Sequence, residues 1–455
     1  MKVIKIGGGC LHGKKTIARI LDLVEEKAKG HIIVVSALYG ITDMLIDGMS
    51  MALESDENIP GITSRLKARH MLIARYLINN KNDLAEFSRE LNKNIGKLER
   101  LYYGLNFTRE VSPRLHDILS SFGERFSARL LTAILRSRGI KAICRMPHKI
   151  GMLTDGKFGD ASADLNQTTK NFQQHINPLL KKDTILIMPG FYGVSKAGDI
   201  TTFGRGGSDY SAAVAAVAAK AEILEIWKDV DGFMSANPNL VPAAKLIPVL
   251  SYSEAAELAY FGASILHPRA MEPVRRKKIK VEIKNTLNPD APGSLITARS
   301  PRHKSVIKSV AHDTDIGILK VHASGVGARP GILALVAGCL TESGINIKSV
   351  VTSQTCISLL LAGNDLETGR QALTAISPRP YRTIETTDDL ALISIVGEGL
   401  FQKKGIAARC FTAVSEAGVN VEMISFGPSR AALYFLAKTK DLNKAVSGIH
   451  STFFS

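Results

Sequence analysis

Cysteine is scarce in this chain. Its five cysteines, Cys10, Cys144, Cys339, Cys356 and Cys410, are scattered, odd in number and without metal-ligand spacing. That argues against a disulfide framework or a thiolate metal site, and reduced thiols in a cytoplasmic protein are expected. Aromatic residues make up 6% of the chain, with a single tryptophan. No apolar run reaches membrane-spanning length. The nearest, Ala212 to Trp227, is broken by Lys220, Glu222 and Glu225, so no membrane association is expected. The opening residues, Met1 to Ile6, run directly into a strand-like segment and then Gly7-Gly8-Gly9. No signal or transit peptide is expected there.

Acidic residues are in deficit. There are 42 Asp and Glu against 58 Lys and Arg, a net charge of +16. The basic residues are dispersed over Arg65 to Arg75, Arg275 to Lys280 and Arg299 to Lys308, without interleaved aromatics. This distribution favours small polyanionic substrates over nucleic acid.

With 455 residues the chain has room for two to four domains. Apolar strands are predicted at 2–6, 31–36, 140–145, 184–188 and 222–228. Helical periodicity fills Lys15 to Lys29, and the Leu-, Lys- and Glu-rich region 62–139 reads as several helices. Strands alternating with helices predict a mainly parallel sheet, ending near Thr297. The stretch 298–312 is polar and basic and reads as a linker.

Beyond it the chain repeats. Gly331/Gly405, Gly344/Gly418 and Asn346/Asn420 each lie 74 positions apart. Each copy reads strand, glycine loop, amphipathic helix, Gly-x-Asn turn, strand, so two copies of one small domain are predicted.

The segment most suited to chemistry is Gly204-Arg205-Gly206-Gly207-Ser208-Asp209, a glycine loop opening a helix. Glycines let the backbone approach a ligand, and a helix N-terminus favours an anion. Arg205 can fork onto a carboxylate. Lys5-Ile6-Gly7-Gly8-Gly9 places a cation and glycine amides at a strand end, a suitable phosphate cradle. The turn Ser36 to Asp43, the acid Glu124 in Ser121-Phe122-Gly123-Glu124-Arg125, and the loops 158–161 and 189–193 are further candidate lining. Singly, each is equally well read as a turn or cap.

Taken in order, these segments resemble the monofunctional aspartate kinases. The resemblance is carried by KIGGG at 5–9, SALYGIT at 36–42, SFGER at 121–125, GRGGSDYSAA at 204–213, WKDVDGFMSANP at 227–238 and LSYSEAAELAYFGASILHPRAMEPV at 250–274. It implies an α/β fold: an amino-acid-kinase-like three-layer sandwich with a mainly parallel sheet over 1–297, then two βαββαβ ACT domains. The first ACT domain, with its linker, would take 298–386 and the second 387–455.

The resemblance also implies ATP-dependent phosphorylation of the L-aspartate side chain, with Mg²⁺, as the first step of aspartate-derived amino-acid synthesis. Lys5 would face the transferring phosphate and Asp209 would orient that lysine. Gly7, Gly8 and Gly9 would offer amides to phosphate. Ser36, Thr42, Glu124, Phe191, Arg205 and Ser208 would surround aspartate, Glu124 at its amino group and Arg205 at its α-carboxylate. Trp227, Lys228, Asp229, Asp231, Phe233, Met234 and Lys245 would form the nucleotide side. Core packing is an equal reading for Trp227, Phe233 and Met234.

An amino-acid effector would meet Val326, Arg329, Gly331, Ile332, Asn346, Ile347, Lys348, Ser353 and Gln354. A cation at Lys348 would repel lysine, so threonine or no effector is expected. A homodimer or dimer of dimers is expected, with Leu390 to Val396 and Leu433 to Ala437 completing an intersubunit sheet.

This sequence departs from the family's usual pattern at Ile6, Gly9, Cys10 and Asn239. Lys2 and Lys228 are candidates to replace the arginine missing at Asn239. Two other readings remain: an ACT amino-acid sensor on a weakened kinase scaffold, and another kinase of the superfamily acting on glutamate or a nucleoside monophosphate.

Overall fold

The computed structural model describes residues 1–180, 183–262, 265–299, 301, 306–326 and 330–454. The chain forms two compact units. One comprises Met1–Phe233, Pro248–Ala256 and Ser264–Ser300; the other comprises Met234–Ile247, Glu257–Ala263 and Pro301–Ser455. Among the described residues, no helix is long and apolar enough to cross a membrane.

The strands of the first unit are β1 (Lys2–Ile6), β2 (Ile32–Val35), β3 (Ala142–Cys144), β4 (Leu153–Thr154), β5 (Ile185–Pro189), β6 (Tyr192–Ser195), β7 (Ile200–Thr202), β8 (Ile223–Lys228), β9 (Val249–Ser251), β10 (Lys280–Asn285) and β11 (Ser294–Thr297). The main sheet has the order β3-β5-β2-β1-β8-β10-β11-β9, and only its β10–β11 pair is antiparallel. A small second sheet has the order β4-β6-β7.

Strand alternation sorts the main sheet's side chains into two faces. Ile4, Ile6, Ile33, Val35, Ile185 and Ile187 join a core built with helices Gly13–Lys27 through Phe122–Ser137. The other face carries Val3, Lys5 and Val34, and there helix Gly207–Ala218 lies against β1 and β2. This helix is buried along its length apart from Ser208, which explains its Ala/Val composition. Because β1, β2, β5 and β8 are parallel, their carboxyl ends open on one edge. In open α/β sheets ligands bind at that edge.

The second unit contains β12 (Ser309–Asp313), β13 (Gly317–His322), β14 (Ser349–Thr352), β15 (Cys356–Leu361), β16 (Thr383–Thr387), β17 (Leu390–Val396), β18 (Met423–Phe426) and β19 (Ala432–Lys438). Its two antiparallel sheets have the orders β14-β15-β13-β16 and β18-β19-β17-β12. These orders match strand for strand. Helices Ile332–Glu342 and Ile406–Glu416, and strands β14 and β18, keep the 74-position offset. The fourth strand of the second copy, β12, precedes the first copy in the chain. Part of the stretch read as a linker is therefore a sheet strand.

The expected intersubunit sheet is corrected here. Leu390–Val396 and Leu433 to Ala437 pair with each other inside their sheet, so neither is available to a partner chain. Four exposed apolar residues sit instead on the edge strands β14 and β18: Val350, Val351, Ile424 and Phe426.

Candidate active site

The carboxyl edge of the first unit's sheet gathers most of the predicted residues. Lys5 is the penultimate residue of β1, Ser36 follows β2, Gly190 and Phe191 follow β5, and Lys228 ends β8 with Asp229 next. Helix Gly207–Ala218 starts there from Gly206, whose φ of 70° no ordinary side chain favours. A Cβ at Gly206 would lie 2.2 Å from His267 Cβ, so glycine is required on two counts. No side chain caps this helix, nor helix Ile41–Glu54, which begins at Gly40. Their first-turn amides favour an anion.

Lys5 and Asp209 form the centre. Lys5 Nζ lies 2.6 Å from Asp209 Oδ1, both side chains buried, and Lys228 Nζ lies 3.7 Å from Asp209 Oδ2. Burial alone would raise the Asp209 carboxyl. The two ammonium groups, with a backbone amide of His267, hold it below its ordinary value. Burial lowers the Lys228 ammonium, although Asp209 pulls it back.

Glu124 sits in the first turn of helix Phe122–Ser137. Its Oε1 accepts from Ser208 Oγ at 3.3 Å, and its buried Oε2 has no partner. Burial pushes the carboxyl up to about 7, against the pull of its own and Ala37's amides, Ser208 and Lys5. A buried carboxylate oxygen without a donor is costly, and an incoming ammonium would satisfy it. Helix and turn pack tightly here: a Cβ on Gly123 would lie 2.8 Å from that of Ala37.

Phe191 holds φ at 75°, rare for a bulky residue. Its carbonyl accepts from Phe203 N at 2.8 Å, and its ring would lie 2.9 Å from a Cβ on Gly207. Ser36 and Thr42 are half-buried at the turn after β2, and Arg205 is exposed on the glycine loop.

Several nucleotide-side expectations change. The Gly7 amide donates to Trp227 O at 3.1 Å, so it is not open to phosphate. Among the described residues nothing accepts from the amides of Gly8 and Gly9. The Trp227 indole lies in the core and donates to Glu225 at 3.0 Å. The Phe233 ring is wholly buried, and its amide donates to Ser294 Oγ. Packing accounts for both rings. Asp231 accepts from Asn285 at 2.8 Å, and Asp229 is exposed beside Gly9. Met234 and Lys245 belong to the second unit.

The departures also resolve. Ile6 points into the core, away from the site. Cys10 is buried, and its sulfur accepts from Thr286 Oγ1 at 3.3 Å; burial raises its thiol. Lys2 is committed to Glu225 at 2.6 Å. Lys228, not Lys2, is the extra cation at the site. Asn239 is exposed in the second unit.

Sequence reasoning missed the groups that hold these loops. Asp117 is fully buried and accepts from Gly159 N, Thr202 N and Thr202 Oγ1 at 2.9, 2.7 and 2.7 Å. Arg269 donates to Asp160, Phe203 O, Ala161 O and Ser162, and stacks 4.7 Å from the Tyr210 ring. His267 leaves Nδ1 buried without a partner. The one available signal for Asp117 was an acid on the buried face of a short amphipathic helix.

In the second unit, Val326 N donates to Gln354 O at 3.0 Å, and Gly331 opens helix Ile332–Glu342 with φ 98°. Ile332 is buried and Ile347 half-buried, whereas Asn346, Ser353 and Gln354 are exposed. Arg329 lies outside the described residues. Lys348 Nζ donates to Asp313 Oδ2 at 2.9 Å and to Asp315 O at 2.8 Å. The expected bare cation is therefore neutralised, because the β12–β13 turn supplies its counter-charge.

The amino acid kinase family matches residues 1–285, and an ACT domain matches 393–453. Aspartokinase 1 of Arabidopsis thaliana, a chloroplastic protein, is 30% identical over 99% of this chain and 80% of its own length. The chain belongs to the aspartokinase family. Among other aspartokinases, a bifunctional aspartokinase/homoserine dehydrogenase of Haemophilus influenzae is 29% identical over 100% of the chain. The chain spans about half the length of such bifunctional relatives. E. coli aspartokinase III, solved with aspartate and ADP and with lysine and aspartate, aligns at TM-scores of 0.81 and 0.83. Identity is 29%, and each alignment covers both chains completely.

Proposed function

We propose that the chain transfers the γ-phosphoryl group of ATP to the side-chain carboxylate of L-aspartate, giving 4-phospho-L-aspartate and ADP. The observation that carries this reading is the Lys5–Asp209–Lys228 cluster, with Lys5 and Asp209 buried, beside a buried carboxylate, Glu124, that lacks a cationic partner. One half suits phosphate and the other an ammonium group.

The nucleophile is ionised near neutral pH, so no general base is required. A carboxylate oxygen bonds to the γ-phosphorus as the bond from phosphorus to the β–γ bridging oxygen breaks. The difficulty is bringing an anion to a polyanion. Lys5 and Lys228 offset that repulsion and stabilise charge as it shifts to the leaving oxygen. Asp209 fixes Lys5 in place, so little reorganisation is needed. Glu124 takes the amino group of aspartate, and Arg205 its α-carboxylate, which aligns the side chain for in-line attack.

Among the described residues no group of three or more His, Cys, Asp or Glu could hold a metal ion. Mg²⁺ fits only as an ion carried by the nucleotide, with Asp229 beside Gly9 the available carboxylate. Bound there, it would neutralise phosphate charge.

The test is acyl-phosphate trapping. Purified protein with ATP, aspartate and hydroxylamine should give aspartyl hydroxamate, and glutamate in place of aspartate should give far less. Equal yields from both, or none from either, would overturn the reading.

A further inference from the structure

A cavity of about 440 Å³ opens in the first unit, among helices Lys81–Thr108, Pro113–Ser120 and Phe122–Ser137 and the turn before β7. Apolar side chains, Phe122 and Ile118 among them, form one part of its lining. Four cations form another: Lys97, Arg100, Arg114 and Arg125. Asp199 is the one carboxylate in the lining, and it is taken by Arg114 at 2.6 Å. Among the described residues, Lys97, Arg100 and Arg125 have no ion-pair partner.

Arg125 is the informative member. Its guanidinium lies 4.2 Å from the Phe122 ring centroid, and its Nε is buried without an acceptor. The residue is half-buried, and a partly desolvated cation without a partner is unfavourable. Burial, and then neighbouring Arg129, lower this guanidinium, with Tyr192 acting the other way. The positive field extends to His148, which burial lowers first and Arg125, Lys149, Arg129 and Lys97 lower further. A larger cavity of about 530 Å³ does not share this imbalance. Asp83, Glu86 and Glu90 face its bases, and Glu90 pairs with Arg129.

We infer that the 440 Å³ cavity is a second anion site, distinct from the Lys5 cluster, which binds a small polyanion: a phosphate ester or a polycarboxylate. Two covalent neighbours connect it to the candidate active site. Arg125 follows Glu124 in the same helical turn. Ile200 leads into Thr202, which Asp117 holds from the helix that also carries Ile118. An anion drawing on Arg125 would therefore act on the aspartate pocket from two sides. The site itself does not depend on the phosphoryl-transfer reading.

Pyrophosphate and citrate, each titrated calorimetrically into the full chain, test the site. The same titrations are made into Lys5→Ala and into the Lys97→Ala/Arg100→Ala double variant. Both double-variant positions are exposed on a helix, and circular dichroism checks that the fold survives. At least one probe should bind the full chain and Lys5→Ala alike, and bind the double variant about tenfold or more weakly. Whichever probe binds identifies the anion class. Binding by neither probe, binding lost in Lys5→Ala, or native affinity in the double variant would overturn the inference.

Discussion

Lys5 and Asp209 form a buried ion pair: Nζ lies 2.6 Å from Oδ1, and both side chains are less than a tenth exposed. Such a pair contributes little net stability, because desolvation offsets most of its attraction. Its value is positional. It holds a charged ammonium at the carboxyl edge of a parallel sheet, where phosphate would arrive.

Lys5→Ala should therefore lower kcat by about a thousandfold or more while changing the KM for aspartate only a few-fold. Arg205→Ala should do the opposite. Loss of a charge-assisted carboxylate contact is worth about 1.5–3 kcal/mol, so KM should rise roughly 10- to 100-fold. Steady-state kinetics on both variants separates the roles. Near-native turnover in Lys5→Ala at saturating substrates would show that the phosphate lies elsewhere.

Glu124 gives a pH signature. Burial holds its carboxyl near 7, and an ammonium ligand needs it ionised. As pH falls below 7, binding must first remove a proton, so the KM for aspartate should rise by up to about tenfold per pH unit. Above 7 the carboxylate is ready and KM should level off. Glu124→Gln should raise KM and abolish this dependence between pH 6 and 8. A wild-type KM that is flat over that range would contradict the assignment.

Asp117 should matter for stability and for the glycine loop together. Burial raises its carboxyl, but His116, two backbone amides and the Thr202 hydroxyl outweigh that and lower it overall. A depressed pKa stabilises the fold above the ordinary carboxylate range, and the contribution fades as pH falls through the folded value. Asp117→Ala strands the two buried Thr202 donors and the Gly159 amide and should cost about 3 kcal/mol at pH 7, with a smaller loss at about pH 3, below the ordinary carboxylate value. Urea unfolding at both values measures it.

Self-association should use the exposed strand edges. Val350 and Val351 on β14, and Ile424 and Phe426 on β18, leave apolar surface on unpaired edges, which natural proteins seldom leave uncovered. Light scattering should give a dimer or dimer of dimers at micromolar concentration. Val351→Lys with Ile424→Lys should shift it toward monomer. A wild-type monomer with full activity would count against this.

The effector preference is now predicted on different grounds. Asp313 neutralises Lys348, so simple repulsion of lysine no longer applies. Yet the segments Val326 to Leu333 and Asn346 to Gln354 contain no acid to pair with a side-chain ammonium. Threonine is expected to inhibit at lower concentration than lysine in separate titrations of the kinase assay. Tight inhibition by lysine alone would reverse this.

The sequence by itself determined the alternation that built the parallel sheet, the 74-residue repeat and the candidate site residues Lys5, Glu124, Arg205 and Asp209. Those signals are local: periodicity, glycine positions and residue type at a strand end or helix start. Tertiary structure alone decided which cation joins Asp209, because Lys2 and Lys228 are equivalent as letters but lie at opposite ends of neighbouring strands. It turned Trp227 into the core, through the two-residue alternation of β8, and left Lys228 on the Lys5 face. It recruited β12 to the second ACT sheet across an intervening domain. It also brought Asp117 to Thr202, 85 positions away, and Asp313 to Lys348. Such long-range polar contacts depend on how elements are stacked, and no pattern within a single segment encodes them.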